Sequence, residues 1–469
     1  MTSRMRSQWA PYRGLRVLMV LVGIVAIPLA ASGQERAPII FPDTQYEPVD
    51  WADLDGWNND DHVAAFAAFL TSCHTLDTKH RRERDLTAIP SALKDICERA
   101  RDAVPLDEDG SRKFFEENFR PIRINRLGDS DGFLTGYYEP IIAGSRVPTG
   151  EFTAPLYRRP PNLVVSGWRK IGKDAFPSKG ALVGRRVGRR KIVPYYTRAE
   201  IEDGALDGWH LEICYLHDQV DVLFAQIQGS ARIRLEDGTI LRVNYDSHNG
   251  WPYTPVGRLL VDDKIMTKDQ VSMQSIRAWM EANPDQAKEV RRQNKSYVFF
   301  RITALSTEDE AVGGEGVQLM PGRSIAIDRA LHAYGTPFFI EAELPIANQK
   351  AETKFDRLVI AQDTGSAIVG PARADIYFGA GDEAARIAGR IKNAGEFIML
   401  IPRELDPVAA GRDTPLPPER PGMFSGFSLS TMVDPTAADP TAEETPAAPA
   451  KPALAVGPAP KAKSNSRKK

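Results

Sequence analysis

The chain has 469 residues, 42% of them hydrophobic and 26% charged, which leaves room for two or three soluble domains and excludes a multi-span membrane protein. Its 60 lysines and arginines nearly cancel 62 aspartates and glutamates, so no basic field marks it as a nucleic-acid binder. A substrate has to be recognised by shape and local polarity.

Arg4, Arg6, Arg13 and Arg16 precede an apolar run over residues 17–29 and the small residues Ala30, Ala31, Ser32 and Gly33. This is the pattern of a secretory signal sequence, residues 1–33, with cleavage expected after Gly33. The apolar run is about thirteen residues, where a spanning helix needs about twenty. The expected product is exported and periplasmic; an uncleaved signal would keep it at the membrane. No cysteine ends the apolar run, so no lipid attachment is expected.

Residues 34–141 are expected to hold an irregular leader, helices and the first barrel strand. A helix begins at Asp61 with Val63, Phe66, Phe69 and Leu70 on its apolar face, a second spans 91–103, and a third opens near Ser111 with Phe114, Phe115 and Phe119. Cys73 and Cys97 fall on the first two helices, and export permits a disulfide between them. Cys214 sits in an apolar stretch and reads as a buried free thiol. Three cysteines without histidine pairs do not form a zinc site.

Residues 133–138 read as a strand in which Thr135 and Tyr137 share a face and Tyr138 points the other way. Residues 142–264, rich in proline, glycine and short β-forming runs, read as an inserted all-β domain. Its basic loop over 185–191 is either a solvated hairpin or a contact for substrate carboxylates. Residues 223–234 alternate as a strand placing Gln226, Gln228 and Ser230 on one face. Amides and hydroxyls in a row suit recognition of N-acetyl and hydroxyl groups; a polar edge is the plain alternative.

Thr267 is expected to cap a helix, with Gln270 three residues on, that runs to Asn283 and Pro284. Six short strands follow at 297–302, 324–327, 337–341, 358–361, 375–378 and 397–401. With a crossover helix they fit a closed barrel over 265–403. The proline- and alanine-rich segment 404–469 lacks the apolar residues to fold and is expected to be disordered.

The chemistry concentrates in residues 357–382, where three aspartates lie among glycines and strand-forming residues. Asp382 opens a helical period and reads as its N-cap. Asp363 precedes Thr364 and Gly365 and is either a turn former or a functional acid. Asp375, between Ala374 and Ile376, has no turn chemistry to explain it. An acid facing inward among apolar neighbours has its pKa raised by desolvation, the state a general acid needs.

The pattern Gln362-Asp363-Thr364-Gly365, then Asp375-Ile376-Tyr377-Phe378-Gly379, resembles the three-aspartate (3D) domain of the MltA family of lytic murein transglycosylases. The family's first domain aspartate matches Asp328, its second Asp363, and its catalytic acid Asp375. Two further motifs match at 132–140 and 226–232. The resemblance implies a mainly β fold with accessory helices, a double-psi β-barrel plus an inserted all-β domain. It implies a glycan groove lined by Thr135, Tyr137, Gln228 and Ser230. The implied reaction cleaves the β-1,4 bond between N-acetylmuramic acid and N-acetylglucosamine in peptidoglycan and leaves a 1,6-anhydro end. Asp375 would be general acid and base, with Asp363 and Asp328 in support, and no metal or cofactor. Peptidoglycan glycan strands are the implied partner, not nucleic acid. The competing readings are a non-catalytic peptidoglycan-binding module and a hydrolytic muramidase using Asp363 as base.

Overall fold

The computed structural model describes residues 43–406 except 80–87, 167–181, 190 and 349–352. The expected signal sequence and, from residue 407 on, the expected C-terminal tail lie outside the described residues; Leu405, at the start of that tail, is buried against the helical layer.

The N-terminal part runs β1 (Thr44–Pro48), α1 (His62–Lys79), α2 (Ala88–Ala103), α3 (Glu108–Asn118), β2 (Phe119–Arg126) and β3 (Gly132–Glu139). Next come β4 (Ile141–Ser145), β5 (Ala154–Tyr157), β6 (Leu163–Ser166), β7 (Leu182–Val187), β8 (Lys191–Val193), α4 (Arg198–Glu202), β9 (Glu212–Leu216) and α5 (Gln219–Gln228). These lead to β10 (Ser230–Leu235), β11 (Ile240–His248), α6 (Val256–Asp262), α7 (Met273–Ala282), α8 (Pro284–Gln293) and β12 (Val298–Ile302). The C-terminal part holds β13 (Ser324–Ile327), β14 (Pro337–Glu341), β15 (Glu343–Leu344), β16 (Thr353–Lys354), β17 (Arg357–Thr364), β18 (Arg373–Ala380), α9 (Gly381–Ala388) and β19 (Lys392–Pro402).

Six strands close into a barrel in the order β3, β18, β13, β17, β14, β19, because the start of β19 pairs back onto β3. Two pairs, β3 with β18 and β13 with β17, are parallel, and the others antiparallel. This is the six-stranded barrel implied by the resemblance. Several strands are buried on both faces, which is why they read as unbroken apolar runs. Phe338, Ile340, Val359, Ala361, Phe397 and Met399 fill the interior. Their neighbours Phe339, Leu358, Ile360, Ile398 and Leu400 face out onto the helical layer.

That layer is α1 to α3, expected from the apolar periodicity. Phe66, Phe69, Phe114, Phe115 and Phe119 interlock there, mostly edge to face. Val63, expected on the buried face, is 41% exposed. Cys73 and Cys97 form a disulfide between α1 and α2 with Cα atoms 5.3 Å apart. Cys214 is buried and free, and burial pushes its thiol up to about 12.

The chain leaves the barrel after β3 to build a second, six-stranded sheet, β12-β11-β10-β4-β9-β5, and a three-stranded one, β6-β7-β8. Residues 298–302 pair with β11. That strand was expected in the barrel, past the boundary at 264, but β3 holds the sixth barrel place. The expected strand over 223–234 divides into α5 and β10. Asp218 caps α5 by accepting from the N–H groups of Val220 and Asp221, and Gly229 ends it at φ +82°. Leu223 and Phe224 then pack on α6 to α8, and Val222 and Ala225 on the sheet. Two other caps differ from expectation. Ala380 is the N-cap of α9, and Asp382 sits in its first turn, where a carboxylate suits the helix dipole. Ser272, not Thr267, caps α7 through a box with Ser275, while the Thr267 N–H donates to Gln270 Oε1 in a preceding turn.

Candidate active site

Four strands bring one row of residues onto the barrel wall facing away from its interior. Asp375 on β18 is registered with Thr135 on β3 and with Ala326 on β13. Ala326 is in turn registered with Asp363 on β17. The last pairing depends on a bulge: Ile325 pairs with Ala361 and Ala326 with Asp363, so Gln362 is an extra residue. Without it Asp363 would follow Val359 and Ala361 into the barrel interior; the bulge re-aims it. Two strand spacings put the aspartate Cα atoms about 10 Å apart across a methyl side chain. Sequence reasoning placed Asp375 among inward-facing residues. The interior positions are Ala374 and Ile376, and Asp375 faces the opposite way.

Above this row lie Tyr137 and Tyr377, registered with each other, their ring centroids 5.2 Å apart. They cluster with Ala311, Leu319 and Ile368, so the carboxylates are partly sealed from water. Tyr137 donates to Asp363 Oδ2 at 2.9 Å, and the N–H groups of Gly314 and Thr364 donate to Asp363 Oδ1 at 2.7 and 2.8 Å. Burial raises the pKa of Asp363, against the pull of these three donors. Asp375 has fewer: Thr135 donates to its Oδ1 at 2.7 Å. Burial raises Asp375 to about 6, opposed by the Arg373 guanidinium and the Thr135 hydrogen bond and assisted by the Asp363 charge. The pair thus divides into a carboxyl with three donors and one poised to hold a proton near neutral pH.

Thr135, Tyr137, Asp363 and Asp375 are therefore brought together. Asp328 is not in the row's hydrogen bonds; it accepts from the N–H groups of Ala330 and Gly370, at 2.9 Å each, and pins the turn before β18. Gln228 accepts the Tyr138 N–H at 2.9 Å, and Ser230 is buried at the start of β10, paired with Asn244. Their motif serves the seam between barrel and insert. The buried Glu139 at the end of β3 receives Arg232 at 2.7 Å and both its oxygens receive Arg242. Both arginines also hold carbonyls of residues 306–309. Gly136 belongs to the same economy of space: a Cβ there would lie 2.8 Å from the Ala388 Cα of α9.

Sequence reasoning missed Gly314, Arg373 and Glu310, which accepts the Tyr377 hydroxyl at 2.7 Å. Arg373 was visible two residues before the acid. The Gly313-Gly314 pair was the signal for a close approach: a Cβ on Gly314 would meet the Tyr334 hydroxyl at 2.5 Å and Asp363 Oδ1 at 3.2 Å.

These features define an acid-dependent enzyme built on a closed β-barrel with a large insertion after its first strand. The chain belongs to the MltA family of lytic murein transglycosylases. The MltA specific insert domain is matched over residues 133–301 and the 3D domain over residues 323–401. Membrane-bound lytic murein transglycosylase A of Vibrio cholerae is 30% identical over 300 residues, covering 62% of this chain and 71% of that protein. The crystal structure of a membrane-bound lytic murein transglycosylase from Agrobacterium tumefaciens is 35% identical, covers 78% of this chain and 99% of that one, and superposes with a TM-score of 0.68. The structure of Escherichia coli MltA with bound chitohexaose is 25% identical, covers 78% and 95%, and has a TM-score of 0.54.

Proposed function

We propose that the protein is a lytic murein transglycosylase in which Asp375 is the single acid and base. The observation that carries the assignment is the contrast between the two aspartates: Asp375 is held near a pKa of about 6 with one hydroxyl donor, while Asp363 is committed to three. Ordinary glycoside hydrolysis needs a second carboxylate free to activate water or to attack. Both Asp363 oxygens are already engaged, which supports the one-acid reaction.

Protonated Asp375 gives its proton to the glycosidic O4 of the departing N-acetylglucosamine as the C1–O4 bond breaks. The muramic acid C6 hydroxyl attacks C1, and its proton passes to the Asp375 carboxylate, restoring the acid. No water is consumed, and the nucleophile is part of the substrate, which removes the entropy of recruiting one. Asp363, its oxygens held in place by three donors, stabilises positive charge developing at C1. Thr135 and Tyr137 orient the two carboxyl groups, and Asp328 supports them through the Gly370 turn. Gln228 acts by fixing the insert against the barrel through the Tyr138 N–H, and Ser230 by opening the insert strand β10 beside it. The chitohexaose bound by the Escherichia coli relative supports a β-1,4-linked glycan as the ligand.

The signal-like pattern of residues 1–33 supports export to the periplasm, where peptidoglycan is met. Among the described residues no helix is long and apolar enough to cross a membrane.

Digestion of purified sacculi followed by mass spectrometry of the products tests this reading. Muropeptides ending in 1,6-anhydro-N-acetylmuramic acid are expected. Reducing ends, each heavier by one water, would make it a muramidase, and intact sacculi that retain bound protein would make it a binding module.

A further inference from the structure

Arg373 lies on β18 two residues before Asp375 and therefore on the same face of the strand. Its Nη2 donates to Thr135 Oγ1 at 2.7 Å, its Nη1 donates to the Ala374 carbonyl, and its guanidinium lies 5.3 Å from the centre of the Phe133 ring. A hydroxyl has one proton and two lone pairs. With a guanidinium N–H aimed at the Thr135 oxygen, the hydroxyl proton is left to point at Asp375 Oδ1, 2.7 Å away. The three side chains form a directed chain from cation to hydroxyl to carboxyl.

The other groups around Asp375 do not duplicate this. β13 presents the uncharged Ala326, and β17 presents the acidic Asp363, so neither supplies a positive charge. Tyr137 of β3 gives its hydroxyl to Asp363, and Tyr377 of β18 gives its own to Glu310. Lys392 of β19, registered with Thr135, directs its ammonium to the carbonyls of Lys268 and Asp269 at 3.2 and 2.9 Å. Arg373 is the cation of this set linked to the acid.

We propose that Arg373 is a positioning residue: it holds the Thr135 hydroxyl as a donor to Asp375 and so controls the pH at which that carboxyl loses its proton. The proposal rests on Asp375 being the acid. Without Arg373 the hydroxyl can turn, the carboxylate loses a donor and a nearby positive charge, and the proton is held to higher pH. The cost of the native arrangement is a narrower alkaline range; the return is an acid that releases its proton readily to a poor leaving group.

The test is the pH profile of kcat/KM for release of 1,6-anhydro ends by the full-length native enzyme, Arg373→Met, Arg373→Lys, Thr135→Val and the Arg373→Met/Thr135→Val double variant. The native profile falls on its alkaline side as Asp375 deprotonates. Arg373→Met should move that midpoint upward by about one pH unit, and Arg373→Lys, which keeps the charge at shorter reach, by less. Thr135→Val should also move it upward, and the double variant no further than the larger single shift, because both changes break one chain. An unmoved or lowered midpoint in Arg373→Met overturns the proposal, as does full additivity in the double variant. Should Arg373→Met not fold, an unmoved midpoint in Arg373→Lys overturns it equally. A native enzyme that releases no 1,6-anhydro ends defeats the assigned reaction instead, so the two failures are separable.

Discussion

Asp375 costs the fold something. Burial lifts its pKa to about 6, so the folded protein binds this proton more tightly than the unfolded chain does. Its contribution to stability is full below the unfolded value of about 4 and is lost as pH rises through about 6. Asp375→Asn should therefore be more stable than the native protein at pH 7.5, by about 1–3 kcal/mol, and no more stable at pH 3.5. Urea unfolding at the two pH values measures this; equal midpoints at pH 7.5 would mean the carboxyl is not desolvated. Gly314 offers a second test on the same face. Its N–H supports Asp363, and a Cβ would strike the Tyr334 hydroxyl. Gly314→Ala should lower kcat by about tenfold while changing KM little; unchanged kcat would show that this N–H is not needed. Asp375 was legible in the sequence because nothing structural explained an acid between Ala374 and Ile376. The direction it faces was not, since alternation alone does not say which side of a strand is the barrel interior.

At the scale of elements, the seam at the end of β3 joins insert to barrel through a buried carboxylate shared by two guanidiniums. Removing Arg242 leaves Glu139 paired with Arg232 alone and strips Glu139 Oε1 and the Ser306 carbonyl of a donor in a buried place. Arg242→Met should cost about 3 kcal/mol from these unmade hydrogen bonds, read as a lower urea midpoint; a loss below about 0.5 kcal/mol would mean solvent reaches the site. The helix α1, read from its apolar spacing, and the strand β17, read as an unbroken apolar run, were legible. The segment 223–228 was not, because a short stretch fits either period and the deciding signals, Asp218 before it and Gly229 after it, lie outside the apolar pattern. The bulge at Gln362 was equally hidden, since pairing with Ala326 is a property of two strands and not of one.

For the whole molecule, the first barrel strand is separated from its parallel partner by the entire insert: Thr135 and Asp375, bonded to each other, are 240 residues apart in sequence. Composition marked the insert, but strand membership is decided by closure of the ring, which is why β12 was assigned to the wrong sheet by sequence reasoning and β3 completes the barrel. The consequence for function is that the carboxyl and its hydroxyl donor come from opposite ends of the insertion, so the site exists only when β3 and β18 pair and the barrel closes. One comparison tests the central claim directly: cleavage and glycan binding by Asp375→Asn and Asp363→Asn, with the product ends identified. The account predicts that Asp375→Asn loses cleavage by orders of magnitude and keeps its affinity for glycan, whereas Asp363→Asn is slower yet still releases 1,6-anhydro ends. Activity retained in Asp375→Asn, with Asp363→Asn inactive and reducing ends released by the native protein, would contradict both the assigned acid and the reaction.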